Sequence, residues 1–421
     1  MERGIRAYCR KPPLRRTITR YPEGGCPELL YDLLGELEGA SQIHIAAYLF
    51  NNPIYAEFIK GLVDRGCRVN IVSIPIRGYS DKQLKVQDYQ NKVSGRDMAE
   101  SVYNDLDSIH GIELRIFPHM YIWYGALYAD GGASYSFHVK AILAEFPDQP
   151  AKSILSSGNF MFTDPPHSDN FIVIQGYPEY SSVFRRFFDD VMSYAIPFSE
   201  YEESYTTAED DFRYGFLGRE VDLPRRSVEN CFFTAPFYTV DGVGSNHYAG
   251  NRIIEVIRTA QRRIWVCAQH FHDLVSFDTE RETIVKAIYE VYGRNPDIEM
   301  RFLKQVPHSS LADKRRAAIA ETLFQYVMGA QQRFNRLVHE KFILVDNTLI
   351  LTTANYTSTQ FAFALRRMEM KFENGKLRKD DYFSEVNGFI ILPDCGDEVL
   401  RQYEEHFNEL WDEGTDIQIN L

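Results

Sequence analysis

Apolar positions follow two different periods along this chain. In ELLYDLLGELE (28–38) they recur every three to four residues, which predicts a helix with one buried face, whereas SQIHIAAYLF (41–50) is an apolar run of strand length. IYAEFIKGLVDRGCRVNIVSIP (54–75) then reads as helix, turn and strand. Such alternation predicts a helix-covered, largely parallel sheet. The same order returns in the second half, with NRIIEVIRTAQ as helix, RRIWVCAQHF as strand, RETIVKAIYEVYG as helix and DIEMRFLKQ as strand. The chain therefore reads as a diverged duplication of one α/β unit. Between the copies, SEYEESYTTAEDDFRYGFLGREVDLPRR is acidic and lacks apolar periodicity. This divides the chain into a basic amino-terminal arm (1–22), a first domain (23–198), an acidic linker (199–226) and a second domain (227–421).

Composition changes this picture in only a few respects. The 421 residues suffice for two cores. With 59 acidic against 46 basic side chains, a formal charge of −13 sets the bulk surface against polyanions at long range. The arm is an exception, holding Arg3, Arg6, Arg10, Lys11, Arg15, Arg16 and Arg20 against Glu2 alone. The six cysteines are dispersed without a CxxC pair, which predicts reduced thiols, a cytoplasmic setting and no zinc site. No run of about 18 apolar residues predicts a membrane-spanning helix, and no apolar segment follows the arm as a secretory signal would require.

The chemistry is concentrated in a repeated motif. FHVKAILAE carries His138 and Lys140, VHEKFILVD carries His339 and Lys341, and Glu145 and Asp346 each lie seven residues after their histidine. Alternation along a strand puts each His with its Lys on one face and turns the two carboxylates to the other, where they brace the strand. Each motif runs on into a small-residue turn with an asparagine, SILSSGNF with Asn159 and LILTTANY with Asn355. HSDNFIVI then supplies Asp169 and RRMEMKF supplies Glu369, 31 and 30 residues after the two histidines. Each half thus offers an imidazole, an ammonium, an amide and a carboxylate. If the halves face one another, this set suits a phosphodiester: the lysines and amides bind its oxygens, one imidazole attacks phosphorus, and the other protonates the leaving oxygen. The lysines supply the positive charge that a metal would otherwise bring, so no metal or cofactor is expected.

The chain here resembles the phospholipase D superfamily, whose signature is a duplicated HxKxxxxD followed by a small-residue turn with Asn and then Glu or Asp. The resemblance implies an α/β/α sandwich in each half, one active site between the halves, and metal-independent chemistry through a phosphohistidine. Carried onto this sequence, it makes His138 the nucleophile and His339 the acid, orients His138 by Glu369 and His339 by Asp169, and adds Lys140, Lys341, Asn159 and Asn355. The chain departs from the signature at Glu145, which stands where Asp is usual, and in its first turn, which reads SSGN.

Fold does not choose a substrate. Lys314, Arg315, Arg316, Arg333 and Arg336 place positive charge shortly before His339, and His270 and His272 end a strand beside the expected site. The aromatic stretch HMYIWYGALY (119–128) offers a stacking platform for bases or an apolar wall. These features make a nuclease acting on DNA or RNA the first expectation. A phospholipase or phosphatidyltransferase acting on phospholipid is the alternative, and an inactive binding module is third.

Overall fold

The computed structural model describes residues 3–12, 26–48, 50–73, 96–117, 120–121, 134–135, 137–160, 166–200, 221–235, 237–274, 282–305, 311–362, 368–371, 377–380 and 385–417. Most of the acidic linker and of the aromatic stretch 119–128 lies outside them, as does the latter part of the amino-terminal arm. The chain divides into two compact units, Met1–Pro166 with Asn170–Arg219, and His167–Asp169 with Glu220–Leu421. The tripeptide His167–Asp169 thus clusters with the second unit, although its last residue opens a strand of the first.

The first unit contains β1 (Gly4–Arg10), α1 (Pro27–Leu37), β2 (Gln42–Ala47), α2 (Pro53–Asp64), β3 (Arg68–Ser73), α3 (Arg96–Asp107), β4 (Ile112–Ile116), β5 (Lys140–Glu145), β6 (Lys152–Ser156), β7 (Asp169–Gln175), α4 (Pro178–Tyr194) and β8 (Ile196–Pro197). Its sheet runs β1-β7-β6-β5-β2-β3-β4-β8. Ile43, Ile45, Ile142, Ile154 and Val173 bury one face in a single core with Leu30, Leu33, Ile59, Tyr103 and Leu106 of α1 to α3. The other face is represented by His44, whose ring lies 5.4 Å from Phe188 of α4. Both faces of a sheet strand are therefore covered, and its run reads as continuously apolar. Residues 4–10 of the expected arm are part of this unit: they form edge strand β1, where Arg6 pairs with Glu36 at 2.8 Å and Arg10 with Asp32 at 2.7 Å.

The second unit contains β9 (Cys231–Thr234), α5 (Ser245–Ile257), β10 (Arg263–Ala268), α6 (Ile284–Arg294), β11 (Glu299–Lys304), α7 (Leu311–Thr322), β12 (Gln331–Phe334), β13 (Lys341–Val345), β14 (Thr348–Thr352), β15 (Asn387–Leu392), α8 (Asp397–Asp412) and β16 (Thr415–Asp416). Its sheet order, β9-β15-β14-β13-β10-β11-β12-β16, matches that of the first unit strand for strand. Trp265 of β10 stacks on Phe407 of α8 at 5.0 Å, and Phe232 of β9 meets Tyr248 of α5 at 5.1 Å.

The largely parallel sheet expected from the helix–strand alternation is corrected by the pairing. In the large sheet of each unit the consecutive helix-linked strands, β2-β3-β4 and β10-β11-β12, are parallel. The strands that carry the chemistry pair antiparallel, β5 with β2 and β6, and β13 with β10 and β14. Connections of a few residues, such as the turn at 346–347, permit only antiparallel neighbours.

Candidate active site

Both motif lysines open a strand, and both histidines stand just ahead of it rather than on it. A two-residue spacing in extended chain puts each ammonium on its histidine's side. Lys140 Nζ donates to the carbonyl oxygen of His138 at 2.8 Å, and Lys341 Nζ donates in the same way to that of His339. This local bond, made identically in the two units, is a physical reason for the His-x-Lys spacing. Lys140 and Lys341 are fully buried, which makes each a desolvated positive charge held beside an imidazole. His138 is half-buried and meets the Tyr48 ring edge-on at 5.7 Å.

His339 is the most completely built group. Its Nδ1 lies 2.8 Å from Oδ1 of Asp169, and the other carboxylate oxygen of Asp169 lies 2.6 Å from Nδ1 of His167. The His167 and His339 rings stack with centroids 4.1 Å apart and planes 23° from parallel. With Nδ1–H directed at Asp169, the neutral His339 ring keeps its lone pair on Nε2, the nitrogen that can attack or accept a proton. Glu340 points the other way and is buried: Oε1 meets Nε2 of His406 on α8 at 2.6 Å, while Oε2 accepts from Ser168 Oγ at 2.8 Å and from the His339 amide at 3.2 Å.

Burial pushes the His339 imidazole down to about 3, assisted by the Lys341 and His167 charges and opposed by Asp169. Burial works against the Asp169 carboxylate, but the facing His339 and His167 hold it well below the usual range. Both shifts make the folded unit acid-labile. Below the ordinary histidine value of 6.5 the unfolded chain binds a proton that folded His339 refuses until about 3, so stability falls as pH drops through that window. The depressed Asp169 adds to the loss at the acid end, because its unfolded carboxylate protonates first. Thermal unfolding between pH 7 and pH 4 is expected to move steadily to lower temperature, with a shallower slope in His339→Gln. An unchanged midpoint across that range contradicts this account.

The remaining predicted residues are distributed as follows. Asn159 and Asn355 are half-buried in the turns after β6 and β14. The carbonyl of His270 accepts from the amide of Tyr356, which sets its backbone beside Asn355. Asp346 does brace a strand, but from a turn with φ of 52°, its carboxylate accepting the amides of Gln261, Arg262 and Arg263 at 2.8 to 3.0 Å where β10 begins. Glu145 does not repeat this and instead pairs with Arg185 of α4 at 2.5 Å. Arg333 is taken up at the sheet edge by Asp416 at 3.0 Å, the Trp411 carbonyl at 2.8 Å and the face of the Trp411 ring. Arg315 and Arg336 are exposed. Glu369 lies on a two-stranded ribbon opposite Lys379, and its side chain, like those of Lys314 and Arg316, is outside the described residues.

Sequence reasoning missed His167, Ser168, Glu340 and His406. His167 stands two residues before Asp169, the same spacing that pairs His with Lys in the motifs, and this was the available signal. His167, Asp169 and His339 could each turn one ligand atom towards a shared cation, these atoms lying within 4.8 Å of one another. The two N···O separations of 2.6 and 2.8 Å are nonetheless hydrogen-bond lengths. Two donors on one tetrahedral ion stand roughly 3.3 Å apart at ordinary bond lengths. The His339–Asp169 contact has hydrogen-bond geometry, and His167 Nδ1 stands at ion-pair distance from the other oxygen of the same carboxylate.

Residues 253–411 match the family model described as cardiolipin synthase, PLD-like domain. No curated protein matches the chain in sequence. Among solved structures, phosphatidylserine synthase from Haemophilus influenzae Rd KW20 is similar with a TM-score of 0.52 at 12% identity, over 92% of this chain and 85% of that one. Polyphosphate kinase from Porphyromonas gingivalis gives 0.49 at 11% identity over 96% of this chain, which spans 50% of the kinase. The yeast tyrosyl-DNA phosphodiesterase gives 0.43 at 10% identity, covering 92% of this chain and 90% of that one. The synthase likeness, the matched domain and the repeated sheet order together show a duplicated phospholipase D-like fold.

Proposed function

Taking as premise that this is a chain of the phospholipase D superfamily, its PLD-like domain matched over residues 253–411, we propose that it is a metal-independent phosphodiesterase that cleaves DNA or RNA through a phosphohistidine. The observation that carries the reading is the His339–Asp169 pair with Lys341 tethered beside it. In this scheme His138 attacks phosphorus, and Lys140, Lys341, Asn159 and Asn355 hold the non-bridging oxygens. The bound phosphate anion restores basicity to His339, which protonates the leaving oxygen. The resulting neutral His339 then takes a proton from water, which attacks the phosphohistidine and releases His138. His339 is suited to the second step because its burial already favours the neutral ring.

The exposed Arg315 and Arg336, the latter three residues before His339, support a polyanionic substrate. The matched domain's description as a cardiolipin synthase favours a second reading, turnover of phospholipid. The experiment is to incubate the protein, with EDTA present, with single- and double-stranded DNA, RNA and phospholipid vesicles, beside His138→Ala and His339→Ala. Nucleic-acid cleavage that both variants lose is expected. Lipid turnover alone overturns the nuclease reading in favour of the second one, binding without turnover favours a non-catalytic module, and loss of activity in EDTA sinks the metal-free mechanism.

A further inference from the structure

His167 belongs to no part of the scheme above, yet it is built into the site more tightly than several residues that do. Ser168 is anchored on both its amide and its hydroxyl: the amide donates to the Leu337 carbonyl at 2.7 Å, and Oγ reaches that carbonyl at 3.0 Å and the Glu340 carboxylate at 2.8 Å. Its bridge to Val338 runs parallel, so the tripeptide lies along the motif as a short extended strap. Side chains alternate on extended chain. With Ser168 turned to Glu340, His167 and Asp169 turn together to His339.

We propose that His167 is a positioning residue of the phosphodiesterase site: it stacks on the His339 ring and shares the Asp169 carboxylate with it, fixing the ring's plane and the nitrogen it presents. The inference rests on the phosphodiesterase reading for its catalytic part only. Each imidazole takes one oxygen of Asp169, at 2.6 and 2.8 Å, and the 4.1 Å stack blocks rotation of either ring out of that plane. A carboxylate divided between two imidazoles also gives His339 less than a whole counter-charge. Among the described residues, the other charged groups around His339 are Lys341, at its own carbonyl, and Glu340, whose oxygens are engaged by His406, Ser168 and the His339 amide.

The test combines ring titration with kinetics in His167→Ala and His167→Gln. In the full chain labelled with 15N-histidine, the wild-type His339 ring is expected to stay neutral across the folded pH range. In His167→Ala its titration moves upward by at least about half a unit, because Asp169 then serves one ring. With bis(4-nitrophenyl) phosphate, kcat of His167→Ala falls about tenfold while KM stays within about twofold, since a His339 ring released from its plane less often holds Nε2 towards the water it deprotonates in the second step. His167→Gln recovers part of the rate, its amide N–H reaching Asp169. If His167→Ala does not fold, His167→Gln carries both measurements and is expected to lie between wild type and a full loss. An unchanged His339 titration, or a kcat that falls only in step with thermal stability, overturns the proposal. A wild-type protein that turns over no phosphodiester defeats the functional reading, and the ring titration still decides the role of His167.

Discussion

His339→Ala is expected to lower phosphodiester turnover on the order of 10⁴-fold, the scale on which enzymes lose rate when a group that makes or breaks the reacting bonds is removed. The substitution removes the imidazole that Asp169 orients at 2.8 Å and with it the group assigned to carry the proton. Lys341 is assigned to hold a phosphate oxygen as a charged ammonium, tethered to the His339 carbonyl, rather than to carry the proton. His339→Asn is the companion variant, since it keeps a polar partner for the buried Asp169 and separates lost chemistry from lost folding. The leaving group sharpens the test. 4-Nitrophenolate departs without a proton, so with bis(4-nitrophenyl) phosphate the acid is dispensable in the first step but the base is still needed in the second. His339→Ala should therefore accumulate the phosphohistidine on His138, visible as an added mass on the intact protein. A variant that keeps activity within tenfold of wild type rules out a chemical role for His339. An adduct on His339 in His138→Ala reverses the assignment of nucleophile and acid.

Glu321→Ala is expected to destabilise the second unit by about 3–5 kcal/mol, the cost of stranding one member of a buried ion pair. Lys304 ends β11 with its side chain 4% exposed, and its ammonium bonds Glu321 at 2.9 Å and Gln332 Oε1 at 3.2 Å. Burial already lowers the basicity of Lys304, with Glu321 opposing that shift. Without Glu321 the charge keeps, among the described residues, the Gln332 amide oxygen and the face of the Phe334 ring, and the folded state is expected to release the proton instead. Folded Lys304 then binds fewer protons than unfolded lysine, so the variant regains stability as pH rises towards the ordinary lysine value of 10.5. Urea unfolding at neutral and alkaline pH measures both effects. Adding Lys304→Met to Glu321→Ala should return much of the loss, because a buried pair can be replaced by apolar groups at little cost. A single variant within about 1 kcal/mol of wild type shows that the pair is solvated in the folded protein.

The duplication and its two His-x-Lys motifs were legible because they rest on local periodicity: apolar spacing names the elements, and a strand's two-residue repeat places His and Lys on one side. Asp346 shows how far local reasoning reaches. Alternation turned it away from the chemistry, and it does brace a strand, but its partners are three amides that the sequence places more than eighty residues away. Glu145 occupies the same motif position and makes a different contact, with Arg185 of α4. Strand direction was misjudged for the same reason, since apolar runs identify strands but pairing depends on which connections are too short to cross the sheet.

What the sequence alone determined was the inventory: two imidazoles, two ammonium groups, two amides and the carboxylates that follow them, at spacings that recur. Tertiary structure decided which of these share electrons and protons. Asp169 meets His339 across 170 residues of chain, His167 stacks on it from the same strap, and Glu340, between His and Lys in sequence, is turned away to His406 and Ser168. Periodicity fixes the face on which a side chain emerges, but the neighbour it finds there depends on the whole path of the chain, and so does the burial that keeps His339 neutral.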